Sequence, residues 1–176
     1  MNNVTDKPSN PRRVFERITE QHDVSQFDCQ NTYLNDFLRN KALTEAREDL
    51  SRTFVLRDRA LPASESIVGY FTLRADSITY PREDRRGSVF FPLVELAYLA
   101  RHIKCRGQGI GGILLEEAFE EVALASGHIG IAGMHLSFTD DGKRLYEEYG
   151  FGPHPYGEYL LLISMRDIRT ALLLAD

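Results

Sequence analysis

The chain of 176 residues has no tryptophan and only two cysteines, and no apolar run approaches the ~18 residues that a membrane span needs. Cys29 and Cys105 lie far apart with no metal-ligand spacing around either, so we expect two buried thiols and neither a disulfide framework nor a metal site. Residues 1–12 are polar and lack the apolar centre of a secretory signal, which predicts a flexible N-terminal tail and a cytoplasmic location without membrane contact.

An excess of basic charge is also missing. The formal net charge is -5, which argues against a dedicated nucleic-acid-binding domain, because phosphate backbones attract domains rich in lysine and arginine. The charge is uneven, however. Residues 74–106 carry seven basic and four acidic side chains, whereas residues 107–176 carry four basic and eleven acidic ones. An anionic ligand is therefore expected to meet the middle of the chain.

Hydrophobic residues make up 43% of the chain and charged residues 27%, as in an ordinary globular protein, and the length suits one domain over residues 13–176. Residue alternation and β-branched content predict strands at 14–18, 52–57, 66–75, 93–100, 128–135 and 159–164. Helical periodicity predicts helices from a cap at Asn31 or Thr32 to residue 38, at 42–49, from 109 or 110 to 126, from a cap at Thr139 or Asp140 to 149, and at 165–175. The predicted fold class is α+β, or mixed α/β, with a central, mostly antiparallel twisted sheet flanked by helices.

The most informative stretch is the glycine-rich turn from Arg106 to Gly112, which joins the predicted strand 93–100 to a helix. A strand that enters such a turn and opens a helix creates an anion site, because unpaired backbone N–H groups and the positive end of the helix dipole converge there. The order of glycines does not fit the dinucleotide pattern, and Gly112 is followed by Ile113-Leu114 where a nucleoside-triphosphate loop needs Lys and Ser or Thr.

A third pattern, Arg/Gln-x-x-Gly-x-Gly/Ala, is matched by residues 106–111, and a second motif, Tyr-x-x-x-Gly-Phe, ends the later helix at Tyr146, Gly150 and Phe151. In these motifs and in the order of its elements, the chain resembles the GNAT superfamily of acyl-CoA-dependent N-acetyltransferases. The resemblance implies that acetyl-CoA is the acyl donor. It also implies that the strand before the turn diverges from its neighbour. The implied contacts to the pantetheine arm are Leu99, Ala100 and Arg101, and those around the pyrophosphate are Arg106, Gly107, Gln108, Gly109, Ile110, Gly111 and Gly112.

Two catalytic residues are expected. By the same resemblance, Tyr146 is the general acid that returns a proton to the leaving thiolate, although a tyrosine at this helix position is otherwise an ordinary core residue. Glu95 stands in the middle of an apolar strand, where a carboxylate is costly unless it is paired, solvated in a cleft or protonated. It is a candidate base for the amine proton, and the alternative is that strand alternation turns it toward solvent or an interface.

The N-terminal half narrows the resemblance to bacterial GNAT toxins that acetylate the α-amine of aminoacyl-tRNA and are held by a ribbon-helix-helix antitoxin. This likeness lies in three segments: Phe27-Asp28-Cys29, Leu34 to Leu38, and Arg52 to Val55. Two positions depart from it. Gln30 stands where that branch usually has glycine, and Tyr98 where it often has a basic residue. Candidate tRNA-binding residues in the charged loop are Arg82, Arg85 and Arg86.

The alternatives are an N-acetyltransferase for a small-molecule amine or a protein amine, and a non-catalytic acyl-CoA-binding module. A homodimer is a further possibility that the sequence leaves open.

Overall fold

The computed structural model describes residues 12–81, 87–155 and 157–175. The strands are β1 (Arg13–Arg17), β2 (Arg52–Asp58), β3 (Ile67–Pro81), β4 (Ser88–Arg101), β5 (Gly133–Ser137), β6 (Gly152–Pro153) and β7 (Leu160–Ser164). The helices are α1 (Thr32–Asn40), α2 (Ala42–Arg47), α3 (Ile110–Ser126), α4 (Asp140–Glu148) and α5 (Met165–Ala175), with short 3₁₀ turns at Ala63–Glu65 and Ile103–Cys105.

The strands of the described part of the chain form one sheet in the order β1-β2-β3-β4-β5-β7-β6. Every neighbouring pair is antiparallel except β4 and β5, which are parallel. A long crossover through α3 joins these two strands, as parallel neighbours require. The predicted fold class, a mostly antiparallel sheet flanked by helices, is confirmed.

Each face of the sheet buries its own cluster of apolar side chains. One cluster lies under α3, α4 and α5, and its fully buried members include Leu114, Phe119 and Ile168. The other lies under α1 and α2, where Phe37 and Ala42 are buried. A side chain on β3, β4 or β5 therefore faces either the α3 side or the α1 side, and this division decides which residues share a site.

A β-bulge changes this alternation in the middle of β4. Thr72 pairs with Tyr98 and Leu73 pairs with Leu96, so Ala97 is an extra residue on β4. As a result Glu95 and Tyr98 lie on the same face of the sheet, and both approach the Arg74 side chain. The bulge thus brings the polar side chains of Glu95 and Tyr98 together on the α1 side of the sheet.

Several predicted boundaries need correction. The strand predicted at 128–135 begins at Gly133, because the backbone N–H groups of Gly127, His128 and Ile129 instead bond to the last carbonyls of α3. β3 continues beyond Ala75 to Pro81, and β4 begins earlier, at Ser88. The two-residue strand β6 is not apparent from the sequence, because it is too short for any alternation pattern.

Other local predictions are confirmed. Asn31 caps α1, since its side chain accepts a hydrogen bond from the Leu34 backbone N–H at 3.2 Å. Gly150 ends α4 with a positive φ of 91°. Both cysteines are free thiols. Cys105 is buried as predicted, whereas Cys29 is only half-buried. Of the predicted tail, residues 1–11 lie outside the described residues, and Arg12 contacts Asp58.

Candidate active site

The glycine turn follows β4 and opens α3 as predicted. Gly107 and Gly109 have φ values of 74° and 71°, in the left-handed region that side chains with a Cβ disfavour. Gly109 is the N-cap, so the first backbone N–H groups of α3 have no partner within the helix. The first turn of α3 carries no acidic side chain. These features are those that the predicted anion site requires, namely free backbone N–H groups at a helix start without acidic side chains.

Gly111 and Gly112 are needed for a different reason, which is the close approach of α4. A Cβ on Gly112 would lie 2.5 Å from the hydroxyl oxygen of Tyr149, and one on Gly111 would lie 3.1 Å from Leu145. The Tyr149 hydroxyl also donates a hydrogen bond to Glu116 of α3 at 2.8 Å. Tyr149 therefore fastens α4 to the start of α3, which explains why the two sequence motifs occur together.

The outer edge of the turn is anchored to the first strand. Arg13 donates a hydrogen bond from Nη2 to the side-chain oxygen of Gln108 at 2.9 Å. The Arg13 guanidinium also lies 3.8 Å from the buried carboxylate of Asp58, which in turn accepts from Arg12 at 2.6 Å. Sequence reasoning missed Arg13 and Asp58, because they are 95 and 50 residues away from Gln108 in the chain. Neither lies in a recognisable motif.

β4 and β5 separate next to this turn. Their ladder consists of Leu93 with Gly133, Val94 with Met134 and Glu95 with His135. Beyond it, β5 continues along β7 while β4 continues to Arg101 against β3 alone. The β5-facing backbone of residues 96–101 is thus left without a strand partner among the described residues. Leu99, Ala100 and Arg101 lie on this open edge, where an extended ligand can add main-chain hydrogen bonds.

Tyr146 lies on the α3 side of the sheet. Its ring packs edge-on against Phe151 with a centroid separation of 5.8 Å, and its hydroxyl makes no hydrogen bond to any part of the chain that the structure describes. Burial raises the pKa of Tyr146 to about 12. The phenol is therefore fully protonated at neutral pH, which is the form that a proton donor requires.

Glu95 lies on the opposite, α1 side. Its carboxylate is 4.0 Å from Arg74, which makes a shorter, 3.0 Å contact with Glu45 of α2. The Arg74 guanidinium also covers the ring of Tyr98, 5.1 Å from its centroid. The Tyr98 hydroxyl lies 3.0 Å from that of the exposed Tyr33. Glu95 thus belongs to a polar cluster with Arg74 and Tyr98, which the sequence analysis did not predict.

His135, the register partner of Glu95, was also missed. Its Nε2 lies 2.8 Å from the carboxylate of Asp76 on β3. A histidine inside an apolar strand is the same kind of signal as Glu95, and this signal was available in the segment Met134-His135-Leu136. The Asp76 contact was not available, because it joins strands that are 59 residues apart.

The remaining predictions concern the charged loop and metals. Arg82, Arg85 and Arg86 lie outside the described residues. No group of three or more His, Cys, Asp or Glu side chains within the described ranges is arranged to hold a metal ion. None of the described helices is long and apolar enough to cross a membrane.

A strand that diverges beside a glycine-capped helix, with a protonated tyrosine on one face, is the arrangement of an acyltransferase that binds its donor along the open strand edge. Residues 49–153 match the acetyltransferase (GNAT) domain, and the chain belongs to this family. It is 28% identical to the "tRNA-acetylating toxin" of Mycobacterium tuberculosis, over 89% of this chain and 94% of that protein. It is 25% identical to the "Probable toxin TacT" of Sinorhizobium fredii, over 92% and 96%.

A solved structure has the same fold. It contains a mutant of the toxin AtaT bound to the C-terminus of the antitoxin AtaR and to acetyl-CoA. The TM-score is 0.77 at 25% identity, and the match covers 94% of this chain and 99% of that chain. The predicted resemblance to the GNAT toxins is thereby confirmed.

Proposed function

We propose that this acetyltransferase transfers the acetyl group of acetyl-CoA to the α-amine of an aminoacyl-tRNA, as the toxin of a toxin-antitoxin pair. The proposal that acetyl-CoA is the donor is supported by the open edge of β4 at 96–101, which is followed by the glycine-capped start of α3. The acceptor half is supported by the relative named as a tRNA-acetylating toxin. Both relatives span nearly the whole chain, so the whole architecture is shared.

In this proposal the pantetheine arm of acetyl-CoA lies along Leu99, Ala100 and Arg101. Its amide groups pair with the free backbone of β4. The pyrophosphate lies at the turn, against the unpaired N–H groups at residues 110–112 and the exposed side chain of Arg106. Gln108 stays in place through Arg13, which keeps the turn in its binding conformation.

The chemistry needs one bond to form and one to break. The amine nitrogen attacks the thioester carbonyl carbon, and the oxyanion is stabilised by backbone N–H groups at the open edge of β4. The intermediate then expels the thiolate of coenzyme A. Tyr146 donates its phenolic proton to that sulfur. The Glu95 carboxylate, on the acceptor side, would attract the ammonium form of the amine, and its role as base stays a prediction.

The nucleic-acid part of the acceptor would meet the basic middle of the chain. The predicted loop residues Arg82, Arg85 and Arg86 remain the proposed contacts to tRNA phosphates. If they serve this role, the KM for aminoacyl-tRNA should rise with salt, because each neutralised phosphate releases counterions. The KM for acetyl-CoA should depend on salt much less.

Two further acceptors compete with this proposal: a small-molecule amine and a protein amine. The chain's net charge of -5 would attract cationic amines of either kind. A non-catalytic acyl-CoA-binding module is a third alternative. The hydroxyl of Tyr146 is protonated and has no hydrogen-bond partner among the described residues, which favours turnover over simple binding.

The deciding experiment supplies labelled acetyl-CoA and a mixture of aminoacyl-tRNA, uncharged tRNA, peptides and small amines. We expect label in aminoacyl-tRNA and none in uncharged tRNA. Tyr146→Phe should lower turnover by about 100-fold or more while calorimetry finds unchanged acetyl-CoA binding. Label in peptides or small amines instead would replace the tRNA acceptor. Binding without acceptor-dependent thiol release would identify a binding module.

We also propose that an antitoxin of the ribbon-helix-helix class holds this protein in check, that the protein forms a homodimer, and that it acts in the cytoplasm. The antitoxin proposal is supported by the AtaT structure, which contains the C-terminus of the antitoxin AtaR. An apolar patch at the start of β4, formed by Val89, Phe90 and Phe91, is exposed and suits a protein interface. Light scattering of the free protein would test the dimer, and Phe90→Ser should shift it toward the monomer.

A further inference from the structure

Tyr33 is an exposed aromatic side chain beside the open edge of β4, and the proposed mechanism does not use it. It is the second residue of α1 and is 62% exposed. Its hydroxyl lies 3.0 Å from the hydroxyl of Tyr98, and the two ring centroids are 5.9 Å apart in an edge-on arrangement. Among the described residues, Tyr98 is its only aromatic neighbour. Most of the Tyr33 ring is therefore open to solvent, although its hydroxyl contact holds it in one orientation.

Tyr98 is itself held in place from several elements. Its ring packs against that of the buried Phe37 with a centroid separation of 4.1 Å, and the Arg74 guanidinium lies 5.1 Å from its centroid. Arg74 also contacts the Tyr98 hydroxyl at 3.4 Å. Because these contacts come from α1, β3 and β4, the folded sheet fixes the support of the Tyr33 ring. A fixed aromatic surface loses little conformational entropy when a flat ligand stacks on it.

The position of this tyrosine pair relates it to the acyl donor. Tyr98 belongs to residues 96–101 of β4, whose β5-facing backbone has no strand partner within the described ranges. It directly precedes Leu99, the first residue proposed to contact the pantetheine arm. Its side chain lies on the α1 side of the sheet, whereas α3, α4 and α5 cover the other side. An acceptor that approaches the donor from the α1 side therefore passes Tyr33.

The charges around Tyr98 indicate which part of an acceptor this surface suits. Arg74 contacts Glu45 at 3.0 Å and Glu95 at 4.0 Å, so one cation faces two carboxylates. Such a cluster does not attract a phosphate group. Stacking on an aromatic ring needs no charge, since every nucleobase has a flat π-face. The unpaired bases at single-stranded ends of RNA are commonly bound by aromatic side chains in this way.

We propose that Tyr33 is a stacking platform for a nucleobase at the single-stranded, aminoacylated 3′ end of the acceptor RNA. This inference rests on the proposed function, because it presumes an aminoacyl-tRNA acceptor. The aminoacyl group is attached to the terminal ribose, so a base held on Tyr33 orients the α-amine toward the thioester at the open edge of β4. An amine that carries no base gains nothing from this contact, so Tyr33 contributes to acceptor selectivity.

A fluorescent reporter tests the stacking directly. The chain has no tryptophan, so Tyr33→Trp introduces a single indole at this position. The probes are intact uncharged tRNA and the same tRNA trimmed of its single-stranded 3′ end. We expect intact tRNA to quench the indole fluorescence by stacking and trimmed tRNA to leave it unchanged. Tyr159→Trp is the matched control, because Tyr159 is 65% exposed and lies beside Phe138, which packs on the α3 side. Its fluorescence should respond to neither RNA.

Kinetics measure the contribution of the ring to acetyl transfer. With aminoacyl-tRNA, Tyr33→Ala should lower kcat/KM by about 10- to 100-fold, mainly through a higher KM. Tyr33→Phe keeps the ring and should remain close to the wild-type value. The loss in Tyr33→Ala should be the same at about 50 mM and 200 mM salt, because stacking releases no counterions. The loss of a phosphate contact would instead become smaller as the salt concentration rises.

An unchanged kcat/KM in Tyr33→Ala, together with a wild-type enzyme that acetylates aminoacyl-tRNA, would overturn the inference and leave the proposed function intact. The same conclusion follows if the fluorescence of Tyr33→Trp ignores intact tRNA or responds equally to trimmed tRNA. A wild-type enzyme that places label only in peptides or small amines would overturn both. If Tyr33→Ala lowers the thermal midpoint strongly, Tyr33→Leu takes its place, because leucine keeps an apolar contact with Tyr98 but has no π-face.

Discussion

The hydroxyl oxygen of Tyr149 packs so closely on Gly112 that a Cβ at this position would lie only 2.5 Å from it. This contact sets the distance between α4 and the start of α3. The next atom of the tyrosine ring, Cζ, would be 3.4 Å from that Cβ, an ordinary separation. The hydroxyl is held in place by its hydrogen bond to Glu116. The glycine motif and the tyrosine motif are therefore parts of one packed unit.

Gly112→Ala should destabilise the protein by about 1–3 kcal/mol, because the tyrosine must move and lose its hydrogen bond. Tyr149→Phe removes the clashing oxygen, so the double variant should be more stable than the two single changes added together predict. Urea denaturation of the four proteins measures this coupling. Simple additivity would mean that the two residues do not meet.

Tyr146→Phe should also flatten the dependence of stability on alkaline pH. An ordinary tyrosine ionises near pH 10, and burial raises the pKa of Tyr146 to about 12. The folded state thus holds a proton that the unfolded state has lost, and this contribution is complete below pH 10 and disappears as the pH rises to 12. Chemical denaturation between pH 10 and 12 should show that the free energy of unfolding falls less steeply with pH in the variant than in the wild-type protein. Tyr149→Phe is a useful comparison, because burial together with the Glu116 contact raises the pKa of Tyr149 to about 12 as well.

Gln30→Gly should stabilise the protein by about 0.5–1 kcal/mol. Gln30 has a φ of 63°, in the left-handed region, where glycine is the favoured residue. Glycine removes the strain of that conformation, but it loses more conformational entropy on folding than glutamine does. The net stabilisation is therefore smaller than the strain energy that is removed. Gln30→Ala is the control. It keeps the Cβ, and an equal gain from it would show that strain is not the cause.

Asp58→Asn should lower stability near neutral pH by about 1–3 kcal/mol and by less in acid. Burial disfavours the Asp58 carboxylate, but the hydrogen bond from Arg12 and the charges of Arg12 and Arg13 outweigh it, so its pKa lies below the usual 3.8. The stabilisation is present above that value and is lost as the pH falls through the folded-state pKa. Denaturation at neutral and acidic pH compares the proteins. A constant difference would mean that the charge of Asp58 has no role.

The same variant also tests the anchor of the glycine turn. Asp58 lies beside Arg13, which bonds to Gln108. If this chain of contacts fixes the turn, Asp58→Asn should weaken acetyl-CoA binding by a few fold while leaving kcat within about twofold. Titration calorimetry with acetyl-CoA measures the affinity. An unchanged affinity would limit Asp58 to a role in folding.

Most of the helices and strands, and the glycine turn of the candidate site, could be predicted because their signals are local. The turn 106–112 carries its glycines, its preceding strand and its following helix within a few residues. The boundaries that failed were decided by competition for backbone groups. The amides of residues 127–129 complete the end of α3, and this leaves them unavailable to the strand that their apolar side chains predicted.

The sequence by itself determined the glycine turn, the strand that leads into it and the helix that carries Tyr146, because each depends on spacing within one segment. Only the tertiary structure decided which polar side chains share the α1 side of the sheet. The bulge at Ala97 places Tyr98 and Glu95 on one face, and the contacts of Arg74 with Glu45 and of His135 with Asp76 each join distant segments. Such contacts arise when packed strands bring side chains together, and no spacing along the chain encodes them.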